Sequence, residues 1–130
     1  MEHVKQALVI DDNSKNRQIL SRMLEMENCV TVEAPRPALL ERMLDDINEL
    51  DIVFLDLEMP GLDGYQVLDM FQTHDRFSEV PVVCYTVHVS EMNVAFEHGF
   101  HSFIGKPLDA DKFPAQLARI FKGERVWETP

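Results

Sequence analysis

The sequence predicts an α/β fold, a five-stranded parallel sheet with helices on both faces, and three observations lead there. Short continuous apolar runs alternate with segments of helical apolar spacing, and five such cycles fit along the chain. The short runs are mostly rich in β-branched or aromatic residues and do not alternate polar with apolar, as expected of strands covered on both sides. At 130 residues the chain suits one domain of ordinary size, with enough length to bury a core.

The predicted strands are Ala7 to Ile10, Val30 to Glu33, Ile52 to Leu55, Val82 to Tyr85 and Ser102 to Ile104. Between the first two, Ile19, Leu20, Met23 and Leu24 form an apolar helical stripe, and Ser14 fits its N-cap. Pro35-Arg36-Pro37 makes a turn into a second helix that presents Leu39, Leu40, Met43, Leu44 and Ile47. A third helix starts near Gly64 and buries Val67, Leu68 and Phe71. The fourth, near Ser90 to His98, ends at Gly99, which suits a left-handed cap. The fifth begins around Asp109 to Asp111, whose carboxylates suit its positive end, and turns Phe113, Leu117, Ile120 and Phe121 inward before Gly123 stops it. Residues 1–123 form the domain and 124–130 a C-terminal tail, whose Trp127 is expected to pack back on the body, the alternative being the start of a linker.

Composition removes several classes of function. A net charge of −11 excludes nonspecific binding to nucleic acid, which is built from Lys and Arg clusters. No apolar run approaches membrane-spanning length, and the polar N-terminus shows no signal-peptide pattern, so a cytoplasmic protein is expected. Cys29 and Cys84 read as free core thiols. His3, His74, His88, His98 and His101 lack any metal-ligand spacing and read as scattered surface residues.

In an open parallel sheet, ligands bind beyond the carboxyl ends of the strands, at the reversal of strand order. There the first strand gives Asp11-Asp12, the third gives Asp56, the fourth Thr86, and the fifth is followed by Lys106-Pro107. Each has an ordinary explanation when taken singly: Asp11 and Asp12 cap a helix with Asn13 and Ser14, Thr86 ends a strand, and Lys106 is a surface lysine. Taken together they make a phosphoryl-transfer site. If the first and third strands are neighbours, three crowded carboxylates call for a cation, and oxygen-only ligands suit Mg²⁺. Asp56 then attacks, while Lys106 and Thr86 hold the transferred oxygens. Asp56 heads the run Asp56-Leu57-Glu58-Met59-Pro60-Gly61-Leu62-Asp63-Gly64, whose Pro and Gly residues set a tight loop.

These residues, in this order and at these intervals, resemble the receiver domain of two-component response regulators over nearly the whole chain. The resemblance implies a flavodoxin-like, doubly wound (βα)₅ fold and phosphorylation of Asp56 by a histidine kinase or a phosphotransfer protein. It implies Asp11, Asp12, Asp56 and the main-chain carbonyl of Glu58 as Mg²⁺ ligands, and Thr86 and Phe103 as switch residues. It implies a target-binding face on helix four, strand five and helix five, and a signalling phosphoacceptor with at most slow self-dephosphorylation rather than an enzyme. Glu58 and His88 occupy positions that tune dephosphorylation in similar proteins. Val87 departs from the family's usual small residue and is expected to narrow access to Asp56.

Two rival classes fit less well. A phosphohydrolase similar to the haloacid dehalogenase group needs Asp-x-Asp after the first strand, where this chain has adjacent Asp11-Asp12. A receiver-like binding module that takes no phosphate would not need the full set of site residues. No phosphate-binding glycine loop with Lys-Ser/Thr follows the first strand, which removes nucleotide hydrolysis. The tail has no room for an output domain, so the expectation is a stand-alone regulator that signals by protein contact, the alternative being a fragment of a longer protein.

Overall fold

A computed structural model describes residues 4–35, 37–59 and 63–129 of the chain. His3, Arg36 of the expected turn, and Pro60, Gly61 and Leu62 of the loop after Asp56 lie outside the described residues. Among the described residues eleven elements follow one another: β1 (Lys5–Ile10), α1 (Ser14–Met26), β2 (Cys29–Ala34), α2 (Leu40–Asp46), β3 (Ile52–Leu55), α3 (Gly64–Gln72), β4 (Val82–Thr86), α4 (Met92–His98), β5 (Ser102–Gly105), α5 (Phe113–Phe121) and β6 (Trp127–Glu128). Single 3₁₀ turns, Pro37–Leu39 and Val89–Glu91, lead into α2 and α4.

All pairings are parallel, in the order β2-β1-β3-β4-β5-β6. The sheet is therefore six-stranded, which corrects the expected five. The sixth strand is the tail: Trp127 pairs with Phe103 and Glu128 with Ile104. Two paired residues are too short for any periodicity to signal, so the sequence indicated only that Trp127 would pack back.

The pleat of each strand divides the core in two. Leu8, Ile10, Val53, Leu55 and Phe103 join Leu40, Leu44, Val67, Phe71 and Ala95 on the side of α2, α3 and α4. Ala7, Val9, Phe54, Tyr85 and Ile104 join Leu20, Leu24, Phe113, Leu117 and Ile120 on the side of α1 and α5. Both cysteines are buried and free.

Helix ends follow local chemistry, with corrections. Asn13, not Ser14, caps α1, its side chain accepting from the Asn16 amide at 3.0 Å, because an amide oxygen one residue earlier already meets the first turn. Ile19 is 47% exposed and stands outside the apolar stripe. The turn ahead of α5, rather than the helix itself, uses Asp109: its Oδ1 accepts from the amides of Asp111 and Lys112, and α5 starts at Phe113 with a proline in its first turn. Asp63 caps α3 by accepting from the Tyr65 amide. Gly99 ends α4 at φ 99°, a conformation that costs a side-chain-bearing residue strain.

Candidate functional site

The strand order reverses between β1 and β3, and the register brings their carboxyl ends level, with Ile10 opposite Leu55 and the Asp56 amide donating to the Ile10 carbonyl at 3.0 Å. The next residues, Asp11 and Asp56, therefore emerge side by side. Carboxylate oxygens of Asp11, Asp12 and Asp56 all lie within 4.8 Å of one another. Asp11 is fully buried and Asp56 is 3% exposed, whereas Asp12 faces solvent. Among the described residues this is the group of acidic, histidine or cysteine side chains placed to share a metal ion.

Lys106, which follows β5, reaches across to the same point. Its ammonium lies 3.2 Å from Asp11 Oδ2 and 3.4 Å from Asp56 Oδ2. The face of the Tyr85 ring carries it from below, 4.2 Å from the ring centroid. The Asn13 amide donates to Asp11 Oδ1 at 2.9 Å and the Glu58 amide to Asp56 Oδ1 at 3.0 Å, so each buried carboxylate has a backbone donor.

These surroundings push the two buried acids apart. Burial opposes ionisation of Asp11, but the Tyr85 hydroxyl, the Asn13 amide and Lys106 outweigh it and hold the carboxyl below the usual range. For Asp56 burial prevails and the neighbouring Asp11 adds to it, so its carboxyl stands above the usual range although the Glu58 amide and Lys106 pull it down. A cation beside Asp56 would relieve that burden. Three carboxylates, oxygen donors only, with one open to water, form the donor set that a hard divalent ion accepts. The residues present fit such an ion.

The remaining expected residues fall around this centre. Thr86 is fully buried at the end of β4, and its Oγ1 accepts from the His88 amide at 3.2 Å. The His88 ring meets the Glu58 carboxylate at the rim, joining the loops after β4 and β3. Val87 is 53% exposed and, with Asp12, Asn16, Ile19 and Pro107, lines a cavity of about 440 Å³ over Asp56. Phe103 is buried on the side of α3 and α4, stacked against Trp127. Of the other histidines, His101 is half-buried beside Ser102 rather than on the surface, and His74 stacks on Phe77.

Two contributors escaped sequence reasoning. Tyr85 donates to Asp11 Oδ2 at 2.5 Å, and Arg17 donates to the Asp11 carbonyl at 2.8 Å while its Nε reaches Glu33 at 3.1 Å. A tyrosine one residue before the strand-end threonine was the one signal in the sequence. Its facing toward β1, however, depends on β1 and β4 lying on the same side of the pleat.

A family model described as "Response regulator receiver domain" matches residues 7–118. The chain is 42% identical over 123 residues to protein-glutamate methylesterase/protein-glutamine glutaminase 1 of Myxococcus xanthus, covering 92% of the chain and 34% of that protein. It is 32% identical over 122 residues to hybrid signal transduction histidine kinase L of Dictyostelium discoideum, covering 88% of the chain and 7% of that protein. The chain thus spans a minor part of either relative. Among solved structures, the receiver domain of NtrX from Brucella abortus superimposes with a TM-score of 0.77 at 28% identity, covering 89% of the chain and 98% of that domain.

Proposed function

Because the chain belongs to the response regulator receiver domain family, we propose that it is the phosphoacceptor of a two-component phosphorelay, phosphorylated on Asp56 in a Mg²⁺-dependent reaction. The observation that carries this reading is the meeting of Asp11, Asp12 and Asp56 oxygens within 4.8 Å, with the Lys106 ammonium between Asp11 and Asp56. Asp11, Asp12, Asp56 and the main-chain carbonyl of Glu58 hold the ion in this reading. When bound, Mg²⁺ supplies positive charge that offsets the crowded carboxylates and the incoming phosphoryl oxygens.

The chain's own residues do the rest. Asp56 Oδ1 is held by the Glu58 amide, which fixes the carboxylate as it forms a bond to phosphorus while the donor's phosphorus–nitrogen bond breaks. Lys106, 11% exposed at its side chain, pairs with the new phosphoryl oxygens as it now pairs with Asp56. Thr86 turns its hydroxyl from the His88 amide toward the phosphoryl group, and Phe103 answers on the neighbouring strand. Glu58 and His88, in contact at the rim of the site, govern the approach of water and hence phosphoryl lifetime.

Likeness to a segment of a hybrid histidine kinase supports a kinase-type donor, a histidine kinase or phosphotransfer protein, and the reading places the exchange in the cytoplasm. Residues 1–123 are the responding domain, 124–130 are its appendage, and the target docks on α4, β5 and α5. Intact-mass measurement after treatment with acetyl phosphate and Mg²⁺ tests the acceptor. One phosphoryl adduct that is missing in Asp56→Asn supports the reading. An unmodified native chain favours a phosphate-independent binding module, and continuous turnover of varied phosphate esters favours a hydrolase.

A further inference from the structure

The tail is fastened to the outer edge of β5 through its backbone, the fully buried Val126 side chain and polar contacts, with the Arg125 guanidinium over the Phe96 and Trp127 rings. The Phe103 amide donates to the Val126 carbonyl at 2.7 Å, and the Val126 amide donates to the buried Ser102 hydroxyl at 3.0 Å. Arg125 donates to the Phe100 and His101 carbonyls at 2.8 and 3.2 Å. Glu128 accepts from Gln116 at 2.9 Å and from Arg119 at 2.7 Å. The Arg119 pair is surface-exposed and contributes little.

The aromatic contacts connect this tail to the switch. Trp127 lies nearly parallel to Phe103, 6.1 Å between centroids and 14° between planes, and the edge of Phe96 from α4 meets it at 5.2 Å. Among the described residues the buried Trp127 indole N–H has no hydrogen-bond partner, which weakens the docked state. A two-residue strand with an unpartnered donor, anchored by the fully buried side chain of Val126, is a short element whose local opening gives up that one core residue. In the sheet, Phe103 stands between Cys84 of β4 and Trp127 of β6, so the strand bearing Thr86 and the tail flank the same residue.

We propose that residues 125–128 are a releasable strap over the β5 edge, docked while Asp56 is unmodified and released when Asp56 carries a phosphoryl group. The inference rests on the receiver reading and adds an output to it. Movement of Thr86 toward the phosphoryl group vacates space on the β4 side of Phe103. The ring follows, and Trp127 loses the surface it stacks on. Release then uncovers the unpaired backbone edge of Ser102–Gly105 together with the Phe96 side of α4, which is already 53% exposed.

Trp127 is the single tryptophan of the chain, so its emission reports the strap directly. Acrylamide quenching is measured before and after acetyl phosphate and Mg²⁺, with intact mass recorded on the same samples. The released fraction should rise roughly fivefold or more on phosphorylation, within the usual range of coupling between sites. It should stay fixed in Asp56→Asn. Val126→Ala, which trims the buried anchor of the strap and is remote from Asp56, should raise quenching without phosphate and, by reciprocity, increase steady-state phosphorylation. An adduct on Asp56 with unchanged or reduced quenching overturns the strap and leaves the receiver reading intact. Absence of any adduct overturns both.

Discussion

The Tyr85 hydroxyl donates a 2.5 Å hydrogen bond to Oδ2 of Asp11, a carboxylate with no exposed surface. Its ring simultaneously supports the Lys106 ammonium that faces the same oxygen. One side chain of β4 thereby keeps the most deeply buried acid of the site ionised. The phenol's own ionisation is pushed far upward, first by burial and then by Asp11, so it acts only as a donor.

Tyr85→Phe removes that donor and leaves the ring. The variant should lose about 1.5–3 kcal/mol of unfolding free energy at neutral pH, the range for a hydrogen bond to a charged group. Urea denaturation at several pH values checks it. Asp11's depressed carboxyl contributes stability that is present above its unfolded value and lost as pH falls through the folded one. The difference between the two proteins should therefore shrink in acid.

Asp56→Asn should have the opposite effect on stability in metal-free buffer. Asp56 stands above its unfolded value, so its contribution is intact below that value and is lost as pH rises through the folded one. The asparagine variant escapes this loss and should be the more stable of the two at pH 7. The advantage should vanish below the ordinary carboxylate range. Thermal unfolding in EDTA from acid to neutral pH reads both limbs.

Lys106→Met leaves the Asp11 and Asp56 carboxylates without their ammonium. Removing one partner of a buried ion pair costs about 3–5 kcal/mol, and the slight exposure of Lys106 places the expected loss near the lower end. Mg²⁺ should restore a larger share of stability in this variant than in the native chain, because it enters a more negative site. Denaturation midpoints with and without Mg²⁺ give the comparison.

Gly99→Ala tests the fold outside the site. A Cβ there would sit 2.7 Å from Gln72 Nε2, and φ of 99° is strained for any residue with a side chain. Loss of about 1–2 kcal/mol is expected, with Mg²⁺ affinity unchanged. An unaltered denaturation midpoint would show that this helix end is built differently.

Much of this was legible in the residues because the chemistry sits at strand ends. Asp11, Asp56, Thr86 and Lys106 each follow a short apolar run, and a parallel sheet brings the ends of such runs to one edge. Tyr85 was not legible, since its facing depends on register between strands that are far apart in sequence. Nor was β6: its pairing comes from a two-residue backbone ladder, the Ser102 hydroxyl and aromatic contact with Phe103, none of which leaves a periodic trace. Ser14 and Asn13 are both good caps, and only the backbone angle of Asn13, φ −87° and ψ 112°, decides between them. The start of α5 moved past Asp109–Asp111 because the Asp109 carboxylate closes its own turn first.

The most direct measurement follows amide resonances during titration with Mn²⁺ as a paramagnetic stand-in for Mg²⁺. A single site caged by Asp11, Asp12 and Asp56 predicts broadening centred on residues 11–13 and 56–58, competed away by Mg²⁺ and abolished in Asp12→Ala combined with Asp56→Asn. Broadening centred on another acidic stretch, or unaffected by those substitutions, would contradict the account.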